Sequence, residues 1–153
     1  MTKKLSPVST DCFRGTTFRP HGKITLSVND NLIVYRAEGP FNAELLAALD
    51  YIESDVLKKL KNDVKNWGGI VIFEISCMAI DELFIVFGEY LKQIKNNELH
   101  PVATAYVIPP DIEGGRLMAK KYEKCYYDAG ILFSIFNNEK DALVWVNSHL
   151  NNI

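Results

Sequence analysis

Residues Ile70, Val71, Ile72, Phe73, Glu74 and Ile75 form a nearly continuous apolar run, opened by Gly68-Gly69 and followed by Ser76-Cys77. Side chains of a strand alternate between two faces. A run apolar at both parities therefore suits a central strand covered on both sides. An α/β arrangement, with helices on both faces of a mostly parallel sheet, supplies such cover.

The rest of the chain is consistent with that frame. Residues 23–28 and 32–38 alternate in polarity as half-buried strands do, with Ile24, Leu26 and Val28 on one face. Asn29-Asp30-Asn31 between them tolerates positive φ and reads as a hairpin turn. Gly39-Pro40 stops the second strand, and Asn42 is a candidate N-cap for a helix to about residue 62. In that helix Leu45, Leu49, Ile52, Val56 and Leu60 form one stripe. Helices are also expected over 80–96 and 113–128. Strands are expected over 101–108, with Pro101 first, and over 131–136, opened by Gly130. Asn138 can cap a final helix containing Ala142, Leu143, Val146 and Leu150. The expected fold is an N-terminal β-hairpin followed by repeated α-β units, a mixed sheet of about five strands with four helices. Residues 1–20, with Pro7, Gly15 and Pro20, lack periodicity and read as an N-terminal arm on a domain over 21–153.

Composition narrows the function classes. A length of 153 residues fits one domain, and 48% hydrophobic content is too high for a disordered chain. With a net charge of -2 the chain lacks the basic stripe of a nucleic-acid binder. Lys58, Lys59, Lys61 and Lys65 cluster, but at a helix end, where cations suit the dipole. Cys12, Cys77 and Cys125 are odd in number and far apart, which points to reduced thiols and a cytoplasmic setting. No apolar run reaches the ~20 residues of a membrane span, so no membrane insertion is expected.

The element order, together with Glu38-Gly39-Pro40-Phe41-Asn42 after the second strand, resembles the STAS-like (anti-sigma factor antagonist-like) family, in its bacterial branch of small stand-alone proteins. The resemblance spans about residues 22–150. It implies a sheet with strands in sequential order and function through protein partners or small ligands. Regulatory members of that family carry a phosphorylatable hydroxyl at the start of the helix after the third strand. Here Asp81, Glu82 or Leu83 stands there, so no phosphorylation site is expected.

Several residues remain as site candidates. Ser76 and Cys77 end the central strand, where ligands of parallel sheets gather. A thiol there could be activated, but no base or nucleophile elbow accompanies it. Asp81 opens the next helix and could mimic a phosphate or simply serve the dipole. Asp111 and Arg116 flank Gly114-Gly115, a possible anion-holding turn or an ordinary one with Asp111 as N-cap. His21, His100 and His149 show no metal-ligand spacing, and neither metal nor cofactor is expected. The helix over 80–96 is apolar on more than one face through Leu83, Phe84, Ile85, Val86, Phe87, Tyr90, Leu91 and Ile94. That surplus favours a partner surface centred on Phe87, with a homodimer expected. The alternative is a small apolar or lipid-like ligand between this helix and the next at the strand ends, where Tyr122, Tyr126 and Tyr127 add aromatic area. The leading expectation is thus a non-enzymatic protein-interaction module. A closed apolar cavity, as against an exposed apolar patch, would favour the ligand.

Overall fold

The computed structural model describes residues 4–13, 15, 18–64 and 66–151. Among these, six strands form one mixed sheet in the order β1-β2-β3-β4-β5-β6, with four α-helices. The strands are β1 (Lys4–Ser9), β2 (Lys23–Asn29), β3 (Leu32–Glu38), β4 (Gly68–Glu74), β5 (Ala103–Val107) and β6 (Phe133–Phe136). The helices are α1 (Glu44–Asp63), α2 (Asp81–Asn96), α3 (Gly115–Ala129) and α4 (Glu139–Asn151). The pairs β1–β2 and β2–β3 are antiparallel, and the remaining pairs are parallel.

Two expectations are corrected. The sheet has six strands and not about five, because the stretch read as an arm outside the core supplies the edge strand β1. Its register slips between Leu5, opposite Val28, and Val8, opposite Leu26, and Pro7 sits in the slip. An edge or bulge is where a strand tolerates a residue without an N–H. Thr10 and Phe13, further along the same stretch, are tied down too. Thr10 Oγ1 accepts from Ile24 N at 2.9 Å, and the Phe13 ring lies 5.3 Å from that of Tyr51. The second correction concerns Asn42, which does not cap α1. The helix starts one residue past Ala43 without a side-chain cap. Asn42 instead accepts from His21 N at 2.8 Å and donates to the Arg19 carbonyl at 3.1 Å. Asn138 does cap its helix, accepting from Asp141 N at 2.9 Å.

The alternation of β4 explains its apolar run. Ile70 and Ile72 join Ala105, Val107, Ala142 and Val146 beneath α4, whereas Phe73 packs in the larger core under α1, α2 and α3. Both parities are buried because both faces of the sheet are covered. The three crossover helices share one face because each crossover steps one strand in the same direction with the same hand.

The loops after β3 and β4 are zipped together. Gly39 N donates to the Ser76 carbonyl at 2.9 Å, Phe41 N to that of Met78 at 2.8 Å, and Ile80 N to that of Phe41 at 3.3 Å. A Cβ on Gly39 would sit 2.4 Å from the Ser76 carbonyl oxygen, whereas one on Gly88, within α2, would meet nothing within 4 Å. Gly39→Ala should therefore destabilise the fold by about 1–3 kcal/mol through overpacking. Gly88→Ala should stabilise it by about 0.5–1 kcal/mol through helix propensity. Urea denaturation midpoints moving in opposite directions would bear this out; equal shifts would refute the close approach at Gly39.

Candidate ligand cavity

A cavity of about 80 Å³ lies between the sheet and the three crossover helices. Its sheet wall comes from Tyr35, Ala37, Val71, Phe73 and Tyr106, and its helix wall includes Leu45, Leu46 and Leu49 of α1, Phe87, Tyr90 and Leu91 of α2, and Tyr122 and Tyr126 of α3. Large aromatic side chains hold the walls apart. Tyr106 packs against Phe73, Tyr122 and Tyr126 with ring centroids 5.2–5.4 Å apart. Phe87 meets Tyr126 edge-on at 5.7 Å.

One ionisable carboxyl lines this space. Glu53 projects from α1 and is only 4% exposed. Tyr35 of β3 donates to its Oε2 and Tyr90 of α2 donates to its Oε1. Burial raises the Glu53 carboxyl above its usual range, against the two phenol bonds, which lower it. The other phenols are satisfied as well: the Tyr106 and Tyr126 hydroxyls bond each other at 3.1 Å, and Tyr122 donates to the Cys77 carbonyl at 2.9 Å. Burial pushes all five tyrosines of the wall upward, so they remain neutral across the physiological range.

Of the residues singled out from sequence, Phe87 lines the cavity together with Leu83, Tyr90, Leu91 and Ile94 of α2 and Tyr122 and Tyr126 of α3, whereas Tyr127 is exposed. Phe87 is 7% exposed, which corrects the expectation of a partner surface centred on it: α2 turns Leu83, Phe87 and Leu91 inward and leaves Ile85 and Val86 in solvent. Ser76 and Cys77 are buried at the end of β4. Ser76 Oγ donates to Glu113 Oε1 at 2.8 Å and accepts from Met78 N at 3.1 Å. Burial pushes the Cys77 thiol up to about 11, and Glu113 adds to the rise, so the group is a protonated core thiol and not a ready nucleophile. Asp81 is exposed and pairs with Lys121 at 2.8 Å, whose hydrogen bond lowers its carboxyl. Asp111 and Arg116 are both exposed. Asp111 does not cap α3; that position belongs to Gly114 at φ 83°, a left-handed conformation that glycine adopts without strain. Among the described residues no group of three or more His, Cys, Asp or Glu could hold a metal, and no helix is long and apolar enough to cross a membrane.

Sequence reasoning placed a ligand space between α2 and α3 but missed α1, Glu53 and Tyr35. A signal was present: Glu53 lies four residues from both Leu49 and Leu57, on the apolar side of the helix.

The raised carboxyl has a defined consequence for stability. Folded protein holds the Glu53 proton over a range in which the unfolded chain, with an ordinary value of about 4.3, has lost it. This contribution to stability is complete below the unfolded value and is lost as pH rises through the folded one. Glu53→Gln removes that titration. The difference in Tm, variant minus wild type, should therefore grow from pH 4 to pH 7; a flat difference would show that Glu53 titrates alike in both states.

No protein-family model, curated protein or solved structure matches this chain, so the cavity itself is the ground for a functional reading.

Proposed function

We propose that this chain is a STAS-like module that binds a small, largely apolar molecule in the cavity beneath α1, α2 and α3. The cavity carries the reading. Protein interiors leave few voids larger than one water, which needs only about 10–15 Å³. A space of about 80 Å³ is several times that and is walled mainly by apolar and aromatic groups. Left empty, it costs roughly 2 kcal/mol at about 24 cal/mol per Å³, a loss that an apolar occupant offsets. Size selects among occupants. A cavity of about 150 Å³ suits benzene, so a space of about 80 Å³ takes something smaller. A lipid chain would require the helices to part. The seam between α1 and α2 is the place for such an opening, because α2 packs far more extensively on α3 than on α1.

Filling the space is the direct test. Leu49→Phe should leave the circular dichroism spectrum unchanged. In the wild type, methyl NMR under xenon pressure should show shifts confined to methyl groups that line the cavity, among them Leu45, Leu46, Leu49, Val71 and Leu91. In the variant those shifts should vanish, as should any bound mass seen by native mass spectrometry. Shifts that are absent, or scattered over the surface, in the wild type would overturn the reading.

A protein partner, including a second copy of the chain, is the second reading. It is favoured by Ile75, Ile80 and Leu117, which are exposed at the strand-end side of the sheet. Ile75 is 72% exposed and sits at φ 68°, a conformation that β-branched residues rarely adopt. Ile75→Asp should keep the fold and reduce self-association in sedimentation experiments if this surface is used; unchanged association would remove it from consideration.

A further inference from the structure

We propose that the cavity selects a small organic amine, bound as its cation with the ammonium on Glu53 and its apolar body among the aromatic walls. This rests on the reading of the cavity as a ligand site and goes on to the ligand's chemistry. The charge map of the walls carries it. Of the residues that line the cavity, Glu53 is the one carboxyl, and among the described residues no lysine, arginine or histidine lines it. An anionic ligand such as a fatty acid would meet a buried carboxyl with no cation to offset either charge. A cation meets the opposite situation.

The local geometry fits an ammonium. Tyr35 and Tyr90 each donate to a different oxygen of Glu53, which fixes the carboxyl plane against the cavity. An ionised carboxyl has about four lone-pair sites, so two phenols leave acceptor capacity for a third donor. Tyr35, Trp67, Tyr90, Tyr106 and Tyr126 line the same space, and aromatic faces attract a desolvated cation. The bond from Tyr90 to Glu53 also bridges α2 to α1 across their sparse seam, so an ammonium that takes over part of the carboxyl acts where the helices meet. Protons balance simply. A neutral Glu53 carboxyl gives its proton to solvent as the ammonium binds, and an ionised one gives up nothing.

Three molecules of matched small size separate the possibilities: ethylamine, ethanol and acetate, titrated by NMR into wild type and Glu53→Gln. Wild type should bind ethylamine at least about tenfold more tightly than ethanol, the margin between a charge-assisted hydrogen bond and a neutral one. Acetate should bind weakest. Glu53→Gln, whose amide can still meet both phenols, should retain ethanol and lose the preference for the amine. Should that variant fail to fold, the Glu53 carboxyl ¹³C resonance of wild type gives the same answer. It should stand at its ionised position in the amine complex and be unmoved in that sense by the alcohol. Equal binding of amine and alcohol, or preference for acetate, would overturn the amine assignment while leaving the ligand-site reading intact. Binding of none of the three would overturn both.

Discussion

Three crossovers of one hand govern the arrangement of this molecule. Each carries the chain one strand further along the sheet in the same direction, from β3 to β4, from β4 to β5 and from β5 to β6. A right-handed connection repeated without reversal must deposit α1, α2 and α3 on one face. The other face is left to α4, which reaches it only after the last strand. The two layers are therefore unequal. Beneath α4 the buried contacts are made by Ile70, Ile72, Ala105, Val107, Ala142 and Val146, aliphatic side chains that close together, with the rings of Phe136 and Trp145 partly buried at their margin. Beneath the three crossover helices the sheet presents Tyr35, Phe73 and Tyr106, whose rings hold the layers apart. Aromatic rings pack at preferred separations and angles and do not deform to fill remaining space. The cavity follows from that inequality.

The polar content of the larger layer is concentrated where three elements meet. Tyr35, Glu53 and Tyr90 come from β3, α1 and α2 and form one hydrogen-bonded unit. A buried carboxyl without partners would be strongly unfavourable, and two phenol donors offset that cost without introducing a second charge. The result is a site that is satisfied when empty yet keeps acceptor capacity. Elsewhere in this layer polar atoms are spent on structure. Trp67 donates to the Leu99 carbonyl at 3.1 Å, and Tyr122 ties α3 to the end of β4 through the Cys77 carbonyl.

The strand ends, where ligands of parallel sheets often lie, are occupied here by the protein itself. Ser76 and Glu113 form a bridge between the loops after β4 and β5, and Gly39 and Phe41 are bonded across to Ser76 and Met78. Ser76 and Cys77 thus serve a packed junction, and the cavity lies between the sheet and the helices α1, α2 and α3. Ile75, Ile80 and Leu117 are in solvent on this side of the molecule, beside the exposed Asp81, Asp111 and Arg116.

Element identity was legible from residues alone wherever one face is apolar. The alternation of Ile24, Leu26 and Val28, the continuous run from Ile70, and the stripe from Leu45 to Leu60 each encode a local period that the tertiary structure preserves. Where the local pattern was weak, it misled. Pro7 obscured β1, whose pairing depends on the exposed edge of β2 and a slipped register, and Asn42 found partners in His21 and Arg19, far from it in sequence. Phe87 shows the limit most directly, because a helical period says that several faces are apolar but not which one meets the core. The sequence by itself determined the α/β order, the hairpin and the buried central strand. The cavity, the convergence of Tyr35, Tyr90 and Glu53, and the inward turn of Phe87 were decided only in three dimensions. A period records which side of each element avoids water, whereas the volume left between elements depends on how side chains from distant segments fit together.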